Sequence, residues 1–464
     1  MLFLRFILIG LLIVPAFSAF SVPVDWSGEL TLDTDIIRGV RRTSDSCTPA
    51  AGSQCITDEE NNGRQQNMIM TLNPSIIIND GVTIKGELAT GTSRTSQVGD
   101  DTTTDSKSGS YFAQTTSSGL NVNQIYAEIY ADTALYRVGR FAKNFGLGAL
   151  INSGEERRNR YFSGYEGIEA ELKLGNFYLT PAWTKLHTSS NPNGKYDAYE
   201  TSLYALYDNT NRNLKFGVFY ALREVETEST LYGANTGSQE VTLIDIFIQK
   251  NWEKAKLALE IPMVSGNAGK AYTNEDADFD SNAYILESSF EMNTQWKLNL
   301  NAGYVKGDDG ETNSFEGMYL HPNYKVGKIL YNHNLRGYNN SAYDIHNAAI
   351  SNSTYAQLEA QYSSSEWVWK ISALWAKANQ VASEGDDFYD HEQKSIVTAA
   401  ADQADDLGYE LTTEFDYMWN PSVTISGYLS NLFVGDFYSF LNDADDELKT
   451  QNVMATGMSL SVKF

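Results

Sequence analysis

Apolar and polar residues alternate strictly along much of this chain. In the segment IEAELKL at 168–174, every second residue is apolar and every intervening residue is charged. The same period of two recurs at 254–261, 297–304 and 367–375. This is the period of a β-strand with one apolar and one polar face. The pattern predicts a chain built almost entirely from amphipathic strands.

The connections between these strands fall into two classes. Short ones lie at 79–81, 132–133, 175–176, 208–213, 251–253, 293–295, 363–366 and 420–421. Long polar ones occupy 38–64, 94–120, 142–163, 187–197, 227–239, 266–281, 337–352, 379–406 and 435–451. Outer-membrane barrels have short turns on one side and long loops on the other. We therefore predict an all-β fold, an antiparallel transmembrane β-barrel with short periplasmic turns and long extracellular loops.

The number of strands depends on the segment 306–336. If it is one long excursion, the count is 18; if 315–320 and 325–335 each cross the membrane, the count is 20. Barrels of this size leave a channel unless something plugs them. The polar strand faces carry ionised groups that a packed core would not accept unpaired, so we expect a water-filled lumen.

The two ends of the chain predict its destination. Residues 1–21 have the features of a secretory signal peptide, because Arg5 precedes the apolar run 6–14 and small residues follow at 16, 18, 19 and 21. We expect 22–464 to form a single barrel domain. The last strand ends at Phe464, and a terminal aromatic there resembles the signal that the barrel assembly machinery of bacteria recognises. The expected location is the bacterial outer membrane, among lipid and lipopolysaccharide.

The composition indicates which partners and which cysteine chemistry to expect. The net charge of −25 disfavours nucleic acid, and an aromatic content of 12% with 28 Tyr suits the interface girdles of a barrel. The two cysteines, Cys47 and Cys55, lie in a polar segment of a chain predicted to be exported, so we expect a loop disulfide; free thiols or a metal pair are the alternatives.

A basic segment stands out between two predicted strands. Tyr136-Arg137-Val138-Gly139-Arg140 leads to Asn144-Phe145-Gly146, then to Arg157, Arg158, Asn159 and Arg160, and Phe315-Glu316-Gly317-Met318-Tyr319 occurs later. These motifs resemble the alginate-export family of outer-membrane barrels. The resemblance implies a monomeric 18-stranded pore for an anionic polysaccharide, with basic residues lining its narrow part.

The residues that carry this resemblance form the predicted anion-binding site of the pore. They are Arg137, Arg140, Lys143, Arg157, Arg158 and Arg160. Guanidinium groups around a constriction would favour carboxylates through charge and bidentate hydrogen bonds. Alternatively, these cations pair with Glu155, Glu156, Glu166 and lumen glutamates and hold an infolded loop in place.

Other chemistry is weakly indicated. Acidic runs at 276–280, 308–311, 386–392 and 443–447 match no calcium-loop spacing, so we expect solvated loops or bridging to lipopolysaccharide through divalent ions, and no metal site. Five scattered histidines and the lack of a G-x-S-x-G or H-E-x-x-H motif indicate no enzyme, and nothing predicts a cofactor.

The sequence thus predicts a porin-like channel for passive passage of hydrophilic solutes, anionic ones included. Two alternatives stay open. One is an exporter of an acidic exopolysaccharide, and the other is an adhesin or receptor barrel that displays long acidic loops.

Overall fold

The structure of the protein is a computed structural model. It describes residues 23–40, 62–90, 120–156, 159–187, 198–225, 238–269, 277–310, 313–333, 335, 349–390, 395–445 and 447–464. The predicted signal peptide at 1–21 and the predicted Cys47–Cys55 disulfide lie outside these residues.

The described chain is almost entirely β-structure. Its strands are β1 (Val24–Arg38), β2 (Asn62–Asn79), β3 (Val82–Thr90), β4 (Leu120–Tyr130), β5 (Ala134–Ala142), β6 (Gly164–Leu174), β7 (Phe177–His187), β8 (Ala198–Asn209), β9 (Leu214–Val225), β10 (Gln239–Asn251), β11 (Ala255–Gly269), β12 (Ala277–Glu291), β13 (Trp296–Val305), β14 (Ser314–Phe315), β15 (Ser353–Ser363), β16 (Trp367–Ala378), β17 (Asp387–Asp390), β18 (Ser395–Thr398), β19 (Asp406–Asn420), β20 (Val423–Val434) and β21 (Val453–Lys463). Two 3₁₀ turns lie at Thr210–Arg212 and Asp436–Ser439. None of the helical turns in the described ranges is long and apolar enough to cross a bilayer.

Eighteen of these strands form one closed antiparallel barrel. Each pairs with the next along the chain, β13 pairs with β15, β16 pairs with β19, and β21 pairs with β1 to close the cylinder. The two-residue β14 pairs with β12 in parallel, and β17 and β18 form a separate hairpin. The prediction of an 18-strand barrel is confirmed. The alternative of 20 strands is wrong, because the segment after β13 crosses the lumen as an irregular chain and not as two strands.

The two faces of the strands have opposite character, as predicted. Large apolar side chains such as Trp183, Leu257 and Ile371 are exposed on the outside, whereas Glu128 and Glu169 point inward and are buried. Exposed aromatics cluster where strands meet the short turns: Phe177, Trp252, Trp296, Trp367 and Trp419. An apolar outer band with an aromatic girdle matches the exterior of a membrane-spanning barrel.

All of the short turns occur at the predicted positions. The turn between β6 and β7 has only two residues, Gly175 and Asn176. Gly175 has a φ of +66°, a conformation that glycine adopts without steric cost. The turn can therefore reverse the chain in two residues.

Two of the long connections fold into the barrel, at 143–163 and 316–333. Met318, Leu320, Ile329 and Leu330 are fully buried in one apolar cluster that also includes residues of β12, β13, β15, β16, β19, β20, β21 and β1. A second cluster packs Phe145 and Ile151 on β9, β10 and β11. The expectation of a lumen free of side-chain packing is therefore wrong for the region that these loops fill. The apolar residues of the loops gain more from burial than from contact with water.

A charged side chain on the outward face of the barrel should lower its stability. Replacing Ile371 by Arg puts a cation among lipid chains and should destabilise the barrel by about 2–4 kcal/mol. The neighbouring Ser372 faces the lumen, so Ser372→Arg serves as the matched control and should cost far less. Denaturant unfolding of both variants in lipid vesicles measures the difference; equal losses would contradict the assignment of faces.

Candidate functional site

Two inward-folded segments define the interior of the barrel. Inner loop 1 is residues 143–163, between β5 and β6, and residues 157 and 158 within it are not described. Inner loop 2 is residues 316–333, after β14. Together they determine which part of the lumen is open.

Glu260 of β11 holds inner loop 1 against the wall. Its carboxylate accepts the backbone N–H of Leu147 and, at 3.0 Å, that of Ala149. Phe145 of the same loop packs edge-on against Tyr204, with ring centroids 5.2 Å apart. The carboxylate thus supplies acceptors for loop amides that would otherwise be buried without a partner.

Glu410 of β19 does the same for inner loop 2. It accepts the backbone N–H groups of Lys328, Ile329 and Leu330 at 2.7, 3.0 and 2.8 Å. The hydroxyls of Thr412 and Ser430 also donate to it, each at 2.8 Å. Five donors on one buried carboxylate fix this turn of the loop in place.

The two inner loops bind each other in the lumen. The His321 N–H donates to the Ala149 carbonyl at 2.7 Å. Asn323 donates from its side-chain amide to the Tyr161 carbonyl at 2.7 Å and accepts the Tyr161 N–H at 3.1 Å. The loops therefore form one connected partition and not two independent flaps.

His321 is the titratable group at this junction. Its Nδ1 accepts the Asn323 N–H at 3.1 Å, so the hydrogen of the neutral ring lies on Nε2, which is 3.2 Å from the Ser163 hydroxyl. Burial lowers the pKa of His321 to about 4, and nearby Lys325 adds to the effect. The ring nitrogen facing Ser163 carries a hydrogen, so this pair lacks the base that a serine nucleophile needs.

Two cavities adjoin inner loop 2. The larger, which we call the lysine cavity, has a volume of about 440 Å³. It lies near the short-turn end between β11, β12, β13, β15, β16 and β19, and its charged lining residues are Lys256, Lys297, Lys325, Lys328, Lys370, Glu287, Glu359 and Glu414. The smaller has a volume of about 290 Å³ and is lined by β1, β20, β21 and Arg160. Lys325, Gly327 and Lys328 line both cavities, so inner loop 2 separates them.

The lysines of the larger cavity differ in their partners. Lys328 lies 2.6 Å from the Glu414 carboxylate, and Lys370 lies 3.5 Å from the same group. Lys256 and Lys297 form no ion pair or hydrogen bond with any described residue. Two unpaired ammonium groups therefore face this cavity. The alternation placed both lysines on the lumen side, but the sequence did not show that they would lie without partners.

Arg137, predicted to line the pore, is neutralised by its neighbours. It contacts Glu128 at 3.5 Å, Glu171 at 3.6 Å and, more closely, Glu169. Lys85 also bonds Glu128, at 2.9 Å. This network lies on β3–β6, roughly half-way round the barrel from the lysine cavity. The arrangement matches the alternative in which basic residues pair with lumen glutamates.

Arg140 lies on the outward side of β5. It pairs in register with Glu166 of β6, on the same side as the exposed Val138 and Ile168, and its guanidinium is 3.5 Å from the Glu166 carboxylate. A residue on this side does not face the lumen, which differs from the prediction. The three-residue spacing from Arg137 to Arg140 places the two side chains on opposite faces of the strand.

The remaining basic residues serve the inner loops. Lys143 is buried, 2.9 Å from Glu200 and 3.0 Å from Ser202, with its ammonium over the Tyr165 ring. Arg160 lies 3.4 Å from both Asp33 and Asp35 at the smaller cavity. Arg157 and Arg158 lie outside the described residues. Among the residues that are described, no group of three or more His, Cys, Asp or Glu could hold a metal ion.

The anchor of inner loop 2 can be tested by removing its acceptor. Glu410→Ala leaves three buried N–H groups without a partner, at a cost of about 1–3 kcal/mol each, so the loop should detach and single-channel conductance should rise. Glu410→Gln retains one acceptor oxygen and should change conductance less. Identical conductance in wild type and Glu410→Ala would contradict the anchoring role.

The loop junction should weaken in acid. Because the pKa of His321 is lowered to about 4 in the folded state, the junction requires the neutral ring. Its contribution is complete above the ordinary histidine pKa of about 6.5 and is lost as the pH falls toward 4. Hydrogen exchange at 321–324 should therefore accelerate, relative to unfolded chain, over this range. His321→Gln should remove the dependence; a persistent acid effect in that variant would argue against His321 as its source.

Comparison with known proteins identifies the fold. No protein-family model and no curated protein matches the sequence. Similar solved structures include Pseudomonas aeruginosa OccK2 (OpdF) in complex with glucuronate (TM-score 0.51, 10% identity), a BenF-like porin from Pseudomonas fluorescens Pf-5 (0.51, 10%) and Pseudomonas aeruginosa OccK8 (OprE) (0.50, 10%); each match covers 95% of this chain and 98% of the other. These matches lend no support to the resemblance to the alginate-export family. The chain therefore shares the 18-stranded barrel fold of these Pseudomonas porins.

Proposed function

We propose that this chain is an outer-membrane channel through which hydrophilic solutes diffuse, with a preference for those that carry a carboxylate. The apolar outer band and the closed strand pairing support residence in a membrane. The predicted signal peptide and the C-terminal Phe464 support export and recognition by the barrel assembly machinery. Outer-membrane lipid and lipopolysaccharide would surround the band.

The observation that carries the proposal is the lining of the lysine cavity. Five lysines and three glutamates face it, together with amide and hydroxyl groups such as those of Asn299, Asn301 and Ser372. A polar cavity of about 440 Å³ has room for a small hydrated solute. The neutral donors and acceptors of the cavity can replace the water around the hydroxyl groups of a passing solute.

The unpaired lysines supply the preference for carboxylates. Lys256 and Lys297 lie on β11 and β13 near the short-turn end, where Glu287 interacts with both electrostatically but forms an ion pair with neither. Arg137, by contrast, already contacts three glutamates, which compete with any solute. OccK2, whose fold this chain shares, was solved with glucuronate, a sugar carboxylate. A hydroxylated carboxylate therefore suits the lining best.

The two alternatives from the sequence rank lower. An exporter of an acidic polysaccharide needs free cations along its bore, but Arg137, Arg140, Lys143 and Arg160 all pair with acids. The apolar packing of inner loop 2 across the lumen fits a barrel that only displays its loops, but such a barrel has no use for the polar, lysine-lined cavity. Planar-bilayer recording distinguishes the channel from the display barrel. A channel gives discrete conductance steps, and a plugged display barrel gives none.

Charge selectivity should depend on the unpaired lysines. Replacing Lys256 and Lys297 by Gln removes two positive charges from the cavity and should lower the anion-to-cation permeability ratio on the order of twofold or more. The reversal potential in a salt gradient measures this ratio, and glucuronate as an added blocker should bind more weakly to the double variant.

Arg140→Gln is the matched control for this experiment. It also removes a positive charge, but from the outward side of β5, so the reversal potential should stay at the wild-type value. If the double lysine variant keeps wild-type selectivity, or if Arg140→Gln shifts it equally, the lysine cavity does not select the solute.

A further inference from the structure

A pair of buried acids lies behind inner loop 1. Asp245 of β10 and Glu260 of β11 are both 0% exposed. The register aligns Asp245 with Pro262 and Glu260 with Phe247, so the two residues are diagonal neighbours on the lumen side. Both carboxyl groups are therefore buried next to each other behind the loop.

No cation compensates this pair among the described residues. On β9, Asp245 faces Phe219, with Gly217 and Ala221 on either side. On β12, Glu260 faces Ile285, with the acidic Glu287 as the next charged residue along the lumen side. From inner loop 1 the pair meets the segment 145–151, which carries no titratable side chain. The nearest bases along the described part of the loop and β9, Lys143 and Arg223, bond Glu200 instead.

Two adjacent carboxylates without a cation are too costly to bury in the ionised form. Two carboxyl groups in contact form a hydrogen bond only if one of them carries a proton. Neither carboxyl oxygen of Asp245 accepts a hydrogen bond from a described residue, whereas Glu260 accepts the Leu147 and Ala149 amides. The shared proton is therefore donated by Asp245 to Glu260.

The backbone of inner loop 1 lies directly against Glu260 of this pair. Gly146 has a φ of +60°, and a Cβ at this position would overlap the Glu260 carboxylate. The Glu260 carboxylate thus bonds the loop backbone directly. Any repulsion between the acids therefore acts directly on the groups that hold the loop.

We propose that Asp245 and Glu260 form a proton-binding site that controls inner loop 1, and hence the width of the channel. The loop is held while the pair shares a proton, and it is released when the proton is lost to water. The held state binds one more proton than the released state, so raising the pH favours release by up to about tenfold per pH unit. This proposal rests on the proposed channel function for its effect on conductance but not for the binding of the proton.

The experiment compares wild type with Asp245→Asn from about pH 7 to about pH 10, a range above that in which the His321 junction depends on pH. The amide that this substitution introduces donates to Glu260 without titrating. Wild-type conductance should rise at the alkaline end, and Asp245→Asn should keep the low value throughout. Asp208→Asn, at a lumen carboxylate that pairs with Lys215 at 3.0 Å, is the matched control and should keep the wild-type response.

A second readout does not depend on conduction. Amide-exchange protection of the segment 145–151, expressed relative to unfolded chain, should fall with rising pH in wild type and stay constant in Asp245→Asn. Glu260→Gln, which keeps an acceptor oxygen, should also lose the pH response. It replaces Asp245→Asn as the test variant if that protein does not assemble into a barrel.

The outcomes separate the two proposals. A lack of conductance at every pH, with protection that still depends on Asp245, overturns the channel and supports the proton site. A pH response that persists in both Asp245→Asn and Glu260→Gln overturns the proton site and leaves the channel standing.

Discussion

Every backbone N–H and C=O that this chain buries must find a partner inside a surface surrounded by lipid. The strands meet this constraint by pairing in a complete ring, in which β21 bonds β1 and no edge remains. The inner loops lie outside this ring, and carboxylates from the wall satisfy part of their backbone. Glu260 and Glu410 are each buried and each accept several loop amides. The position of the loops, and therefore the shape of the open lumen, follows from these two side chains.

The wall could be predicted from the sequence, because each strand carries its own signal. The alternation in IEAELKL places Glu169 and Glu171 inside and Ile168 outside without reference to any other strand, and the structure agrees. The short turns were equally visible, since Gly175 and Asn176 interrupt the alternation over only two residues.

The interior was less predictable, because it depends on contacts between residues far apart in sequence. Glu410 looked like one more charged residue on a lumen face, and only the fold shows that residues 328–330 reach it. Arg137 and Arg140 looked like one basic site, yet the strand period separates them onto two faces. The segment 306–336 could be one excursion or contain two strands at 315–320 and 325–335, and tertiary burial of Leu320 and Ile329 favours the excursion.

The two sides of the lumen differ in their charge pairing. Acids and bases neutralise one another on β3–β6, while the opposite side keeps Lys256 and Lys297 next to a cavity, with no ion pair to any described residue. For the lysine cavity to select solutes, a continuous aqueous path must run past the inner loops, and it must admit small solutes and exclude large ones. Swelling of liposomes that contain the purified protein tests this most directly, with glucuronate compared against oligosaccharides of increasing length. A selective channel gives rapid swelling with glucuronate and a sharp decline as the saccharides lengthen, whereas a lack of swelling with every solute would show that the lumen is closed.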